Sequence, residues 1–399
     1  MGTRPRWWAL ALVAGACAGP PADPALERET EITALDPPAS TGAFAPWLAE
    51  ARPDLLLSWL EPLGEGGHRF VVSRRSGAEW SEPVEIARGD DFFANWADVP
   101  GLGVAGDGAL LAHWLVKTGA ETYAYSIMLA RSTDGGASWK ELGPLHDDGT
   151  STEHGFVSWA PEGEAARAVW LDGRAMAEGG AMSLRTALVG AAVGPATVLD
   201  DRVCECCATD LAVGTDGALA VYRDRSAGEV RDIALARIDG VRPPTVVCQD
   251  GWEIAGCPVN GPAIDGDGDR VAVAWFTAAG ERARVFVALS TDAGESFSAP
   301  GRVDLGDPLG RVDVRIDPAG GAVVAWLETV HDGAAVLLRR FADDGTAGDA
   351  VEVGRTSSGR TSGFPRLAPL AADWMVAWVE ADGEGPRGLR AATLPRAGL

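Results

Sequence analysis

A β-propeller of seven four-stranded blades is the fold this sequence predicts, and three observations predict it. First, an apolar motif centred on an aromatic residue returns at intervals of roughly fifty residues, the signature of an array of supersecondary units. It reads LLLSWLE at Trp59, LLAHWLV at Trp114, ARAVWLD at Trp170, LAVYRD at Tyr222, VAVAWFT at Trp275, VVAWLE at Trp326 and MVAWVE at Trp378. Second, each return is flanked by short alternating or apolar runs, separated by Gly and Asp-Gly turns that read as strands and hairpins. Third, the 399 residues include 51 Gly and 25 Pro and are 46% hydrophobic, which suits many turns around a large core. All-β propellers routinely hold a chain of this length as one unit.

Taken in order, the chain opens on an export signal, residues 1–17. Arg4 and Arg6 precede the apolar run WWALALVAGA, which is too short to span a bilayer as a stable helix. Cys17 follows in AGAC, which resembles a bacterial lipobox with Ala14 where Leu is usual; lipidation at Cys17 and ordinary secretion are both open. Residues 18–40 form a Pro-rich tether. The propeller is expected over 41–399, exported to the periplasm or cell surface, where disulfides persist.

Unit five divides most clearly: NGPAIDGDGD, RVAVAWFT, ARVFVALSTDAG and SAPGRVDL are four strands with their turns. Unit six repeats this as GRVDVRIDPAGG, AVVAWLE, AAVLLRRFADDG and DAVEVG. Unit seven supplies GFPRLAPL, WMVAWVE and GLRAATL before the chain ends. Its missing fourth strand is expected from TEITALD, near residues 30–36, which closes the ring and removes its exposed edges. Unit one is the weakest, so six blades is the second count.

Two turns carry a further signal. RSTDGGASW, with Ser132, Asp134, Gly136 and Trp139, and LSTDAGESF, with Ser290, Asp292, Gly294 and Phe297, fit the pattern Ser-x-Asp-x-Gly-x-Ser/Thr-Trp/Phe. This is the Asp-box, and through it the chain resembles the sialidase-like (BNR-repeat) propellers, in particular an exported bacterial subgroup with a Cys-x-Cys-Cys segment. The turn's role is local: Asp accepts backbone hydrogen bonds, Gly permits φ > 0 and the aromatic packs between blades. The resemblance implies an arginine triad on the substrate carboxylate, a Tyr nucleophile activated by a Glu, and an Asp acid/base. This chain departs from that pattern. It lacks the Arg-Ile-Pro motif, and its only tyrosines are Tyr123, Tyr125 and Tyr222, none of them late. Turnover, as an exo-sialidase-type glycoside hydrolase, is therefore left open.

In a propeller, the fourth-to-first connections between blades share a face with the second-to-third loops. That face collects the unusual residues. Arg174, Arg223, Arg311, Arg360 and Arg366 are expected to converge there on an anionic ligand such as an acidic glycan, or else to pair with neighbouring acids. Trp96, Trp252 and Phe364 offer stacking surfaces or wedges between blades, and Asn260 a polar contact. Asp98 or Asp172 with Glu153 offers a carboxylate pair, and Tyr222 a hydroxyl. Cys204, Cys206, Cys207, Cys248 and Cys257, an odd set, suit loop-stapling disulfides or, with His154, a copper or zinc site; no cofactor is firmly implied. A cysteine-based metal or redox protein and a protein-binding surface scaffold are the alternatives to glycan recognition. The net charge of −23 argues against nucleic acid as a partner. Membrane contact is expected only through the lipid anchor, and the protein is expected to be a monomer.

Overall fold

The computed structural model describes residues 1–2, 31–238 and 242–399. Cys17 and its flanks lie outside the described residues. Seven antiparallel sheets follow one another along the chain. Blade one holds Phe44–Ala51, Asp54–Pro62, His68–Ser76 and, on its outer edge, Glu79–Trp80 and Val84–Gly89. Blade two spans Gly101–Val104 to Lys140–Pro144, blade three His154–Glu162 to Thr197–Asp200, and blade four Asp210–Gly214 to Thr245–Cys248. Blade five runs from Ala263–Asp267 to Gly301–Arg302, and blade six from Pro308–Ile316 to Ala347–Thr356. Blade seven takes Arg366–Pro369, Asp373–Asp382 and Gly385–Pro395 from the end of the chain and Thr33–Leu35 from its beginning. Thr33 pairs with Thr393 and Leu35 with Ala391, so the ring closes by joining the two ends of the chain. The ring thus has seven blades rather than six. Among the described residues no helix is long and apolar enough to cross a membrane.

The core lies between blades. Seven apolar clusters occupy the seven blade-to-blade interfaces. Blade six shows why its second strand is apolar on both faces: Ala322, Val324 and Trp326 pack toward blade five, and Val323, Ala325 and Leu327 toward blade seven. The repeated aromatic is buried in every blade, and its polar atom needs an acceptor. The acid two residues on supplies it in three blades: Trp59 donates to Glu61 (2.8 Å), Trp170 to Asp172 (2.9 Å) and Trp326 to Glu328 (2.7 Å). Where that position is Thr277, Trp275 donates instead to Asp250 of the preceding connection (2.7 Å).

Around the axis, a carboxylate from one blade accepts a backbone N–H of the next. Asp210 takes Ile264, Asp265 takes Ile316 and Asp313 takes Leu367, at 2.8–2.9 Å. Asp98, in the connection before blade two, takes Phe156 of blade three in the same way (2.8 Å). The two Asp-box hairpins join third to fourth strands in blades two and five and match closely. Ser132 and Ser290 hydroxyls donate to Asp134 and Asp292 (2.7 Å each), while Gly136 and Gly294 N–H groups return to the serines (2.9 Å each). Trp139 and Phe297 pack against the neighbouring interface clusters.

Candidate functional site

A cavity of about 650 Å³ opens on the face that carries the inter-blade connections and the second-to-third loops. Its walls come from the connection into blade two (Asn95, Trp96, Asp98), the start of that blade's third strand (Tyr123, Tyr125), and Glu153 and Phe156 entering blade three. Opposite stand Glu205 and Cys206, the Arg225–Arg231 hairpin, Cys257 and Arg360. A larger cavity of about 930 Å³ opens elsewhere, among Glu50, Arg52, Asp54 and Asp267. Its chemistry is poorer: Arg52 pairs with Glu50, and its partly buried acid, Asp265, is committed to the Ile316 N–H.

Tyr125 organises the first cavity. Its ring stacks on Phe93 with centroids 3.9 Å apart and planes 9° from parallel. Its hydroxyl lies 2.8 Å from Asp98 Oδ2 and 2.9 Å from Glu153 Oε1. The backbone helps to fix this trio. Phe156 has φ 54°, the register of blade three's first strand shifts there, and its N–H points at Asp98. The preceding Gly155 has no substitute, since a Cβ there would fall 1.8 Å from Asp98 Oδ2.

A phenol has one hydrogen, so two carboxyl oxygens around it require a second proton on one of them. The titration of the acids agrees. Burial pushes Asp98 up to about 7, against the opposing hydrogen bonds from Phe156 and Tyr125. Burial likewise raises Glu153 to about 8, with the Asp98 charge adding to the shift. Tyr125 is itself pushed well above its ordinary value by burial and the two carboxyls. The trio therefore holds an exchangeable proton near neutral pH.

A second polar cluster lies beside this one. His146 and His154 stack with centroids 3.7 Å apart and 2° between planes. Asp148 Oδ1 is 2.7 Å from His146 Nδ1 and 3.3 Å from His154 Nε2. Asp172, predicted as half of a carboxylate pair, sits here: it accepts from Trp170 and binds Arg174 through Nε (2.7 Å) and Nη2 (2.8 Å). It occupies the position that Glu61 and Glu328 fill in their blades.

The five arginines take different places. Arg360 alone of them lines the cavity, exposed and with no ion-pair partner among the described residues. Arg223 is buried, donating to the carbonyls of Asn260, Arg231 and Phe276 and lying over Trp252. Arg311 donates to Gly359 O (3.0 Å) and Ser362 Oγ (2.5 Å) and lies over Trp96. Arg366 lies over Trp47, and Arg174 is held by Asp172. Asn260 accepts from Arg311 N and donates to Leu309 O. Trp96 faces the cavity and stacks on Phe364, whereas Trp252 packs against Phe276. Tyr222 lies in the wall between blades three and four, donating to Asp200 (2.6 Å).

The cysteines divide. Cys204, Cys206 and Cys207 gather, with Cys257 reaching Cys206 from the facing loop. Cys248 stands apart beside Asp250 (3.5 Å), pushed up to about 12 by burial and that carboxylate. His154 belongs to the His146–Asp148 cluster instead of the sulfurs. No cysteine pair is bonded among the described residues. Both clusters, Cys204–Cys206–Cys207 and His146–Asp148–His154, bring donor atoms within 4.8 Å of one another, a spacing at which one ion can be held.

Two residues at this face were not singled out from sequence as site residues: Tyr125 and His146. Tyr125 had a legible signal. It is one of three tyrosines in the chain, and it opens a third strand, which places it at the loop face.

No protein-family model matches the chain, and no curated protein matches it. Solved structures do. A protein of unknown function from Dyadobacter fermentans DSM 18053 is similar over 92% of this chain and 98% of its own, with TM-score 0.52 and 13% identity. The polysaccharide lyase Uly1 is similar over 89% of this chain and 90% of its own, with TM-score 0.53 and 8% identity. A PL25 ulvan lyase bound to -[GlcA(1-4)Rha3S]- is similar over 89% of this chain and 97% of its own, with TM-score 0.54 and 10% identity. At these identities the likeness is one of fold.

Proposed function

We propose that this is an exported, sialidase-like propeller that binds an anionic glycan in the 650 Å³ cavity and cleaves it by proton transfer through Asp98, Tyr125 and Glu153. The observation that carries the reading is the single phenol oxygen held between two carboxyl groups whose titration lies near neutrality. Groups that exchange protons near the working pH are the efficient general acids and bases. The arrangement does not suit a pair of carboxylates flanking a sugar, as in retaining glycosidases, because the phenol itself stands between them. It suits action from one side. Glu153, partly exposed at the cavity, gives its proton to the glycosidic oxygen as the C–O bond breaks. Water adds to the freed sugar carbon and gives up a proton, and the Tyr125 hydroxyl relays that proton between Asp98 and Glu153.

Arg360 supports the anionic part of the reading, being a free guanidinium at the rim. Trp96 beside it offers a stacking face. Two of the solved propellers that share the fold are polysaccharide lyases, one of them bound to -[GlcA(1-4)Rha3S]-. Export with a lipid anchor at Cys17, and a monomeric state, belong to the same proposal.

The test is a panel of sialylated, uronate-containing and sulfated oligosaccharides incubated with the mature chain, products read by mass spectrometry and binding by calorimetry. Cleavage of an acidic member, with neutral counterparts untouched, is expected. Arg360→Ala should weaken its binding about tenfold, the worth of one charge-assisted hydrogen bond. Absence of both binding and turnover across the panel would refute the reading.

A further inference from the structure

We propose that Cys204, Cys206, Cys207 and Cys257 hold one thiophilic d10 ion, zinc(II) or copper(I), in the wall of the cavity. The sulfurs of the first three lie within 4.8 Å of one another, and Cys204 Sγ is 3.4 Å from Cys207 Sγ. Sulfurs sharing an ion at the usual Zn–S bond of about 2.3 Å stand roughly 3.8 Å apart, so these thiols are already spaced as ligands. The fourth ligand of the proposed set is Cys257, on the connection into blade five, which lines the same cavity wall as Cys206 and interacts with its thiol. Soft thiolates select such ions over magnesium or calcium.

The surroundings point to the same conclusion independently. Arg231, whose side chain is almost wholly buried, places Nη1 3.1 Å from Cys204 Sγ. A guanidinium only donates, so the sulfur it faces is the acceptor, as a metal-bound thiolate is. Cys204 and Cys207 are each 1% exposed, so their sulfurs are shielded from water. Both ligand-bearing loops are clamped to the same hairpin of blade four before any ion arrives. Cys204 N–H donates to Arg223 O (3.0 Å), Arg231 N–H to Trp252 O (2.8 Å), and Ile254 N–H to Glu229 O (3.0 Å). An ion there ties the connection into blade four to the connection into blade five and stiffens the wall opposite Tyr125.

The mature chain is made in an exporting host and its metal content measured, with peptide mapping of cysteines alkylated in the native state. One equivalent of zinc or copper is expected, the identity of the metal separating the two ions. Cys248 should be labelled, and Cys204, Cys206, Cys207 and Cys257 protected until a chelator is added. Cobalt(II) given to the chelator-stripped protein should produce thiolate-to-metal charge-transfer absorption. Cys207→Ser and Cys257→Ser should each lose stoichiometric metal, and Cys248→Ser should keep it. Should Cys207→Ser fail to fold, the cobalt spectrum of the unsubstituted chain still decides. Two disulfides among the four residues, together with failure of the reduced protein to take up zinc(II), copper(I) or cobalt(II), would overturn the proposal.

Discussion

Tyr125 and Tyr222 are matched in burial and differ in their surroundings. Each is 1% exposed, each donates its hydroxyl to a carboxylate, and each is raised in pKa by burial first. Tyr222 stands where the repeat has tryptophan, and its hydroxyl does what an indole N–H does in neighbouring blades: it satisfies one acceptor, Asp200. Tyr125 stands between two carboxyl groups, one fixed by the Phe156 N–H and the other at the edge of the cavity. One carboxylate makes a buried tyrosine part of the scaffold. A second one leaves a proton to be shared, and the same side chain becomes a chemical centre.

The sharpest way to break this comparison is to remove both hydroxyls in turn. Tyr125→Phe should lower kcat/KM for the cleaved glycan by about 10²- to 10⁴-fold, the usual contribution of a positioned acid or base. Tyr222→Phe should leave turnover unchanged and cost about 1–3 kcal/mol of stability, by leaving Asp200 Oδ2 without the Tyr222 donor while Arg202 N–H still holds Oδ1. Steady-state assays and thermal melts on both variants check this. Equal losses of turnover in the two would reduce Tyr125 to a structural residue.

The second prediction is in pH. Asp98 and Glu153 bind protons more tightly folded than unfolded, since both are raised, to about 7 and about 8. Asp210 and Asp265 are also raised, each to about 6, burial being the main cause. Between the unfolded carboxyl range near pH 4 and these values the native state holds the extra protons, so stability falls as pH rises through that window. Acids held low, such as Asp134 and Asp292 at about 2, act oppositely and cost stability only on acidification below about 4. His68, His113 and His146, held low mainly by burial, oppose this below about pH 6.5. Melting temperature should therefore decline from about pH 6.5 to pH 8. Asp98→Asn, which needs no proton to face a phenol, should flatten that decline and raise stability relative to the parent above pH 8. The same variant should abolish the alkaline limb of the rate profile that belongs to the pair. An unchanged slope of melting temperature against pH would remove Asp98 from the account.

The fold was legible because its cause is periodic. The buried aromatic, the apolar alternation that serves two interfaces at once, and the Asp-box turns all repeat along the chain, and even the closing strand at Thr33–Leu35 follows from a blade short of one strand. The site was legible only as a face. Sequence placed Asp98, Glu153, Cys206 and Arg360 on one face of the ring, and all four line the 650 Å³ cavity there, because connectivity alone decides the face. It did not pair them, because pairing depends on reach across blades. Asp98 meets Tyr125 27 residues away, and Arg223 turns inward to three carbonyls instead of outward to a ligand. Arginines near the mouth looked alike in the sequence; burial and available acceptors separated Arg311 and Arg366 from Arg360.

The smallest expected effect sharpens the comparison from the scaffold side. Asp200→Asn keeps an oxygen for the Tyr222 hydroxyl and brings no new neighbour to the cavity. It exchanges a charge-assisted hydrogen bond for a neutral one, a loss of about 1 kcal/mol. Turnover should be untouched, and the melting temperature should fall by a few degrees at most. Glu153→Gln makes the same chemical change beside Tyr125, yet there it deletes a group that must hold and release a proton. Identical carboxyl-to-amide replacements at two equally buried tyrosines should therefore separate cleanly into a stability effect and a rate effect. If Asp200→Asn slowed turnover as Glu153→Gln does, the two surroundings would have to be coupled through blade three, and the distinction between scaffold and centre would fail.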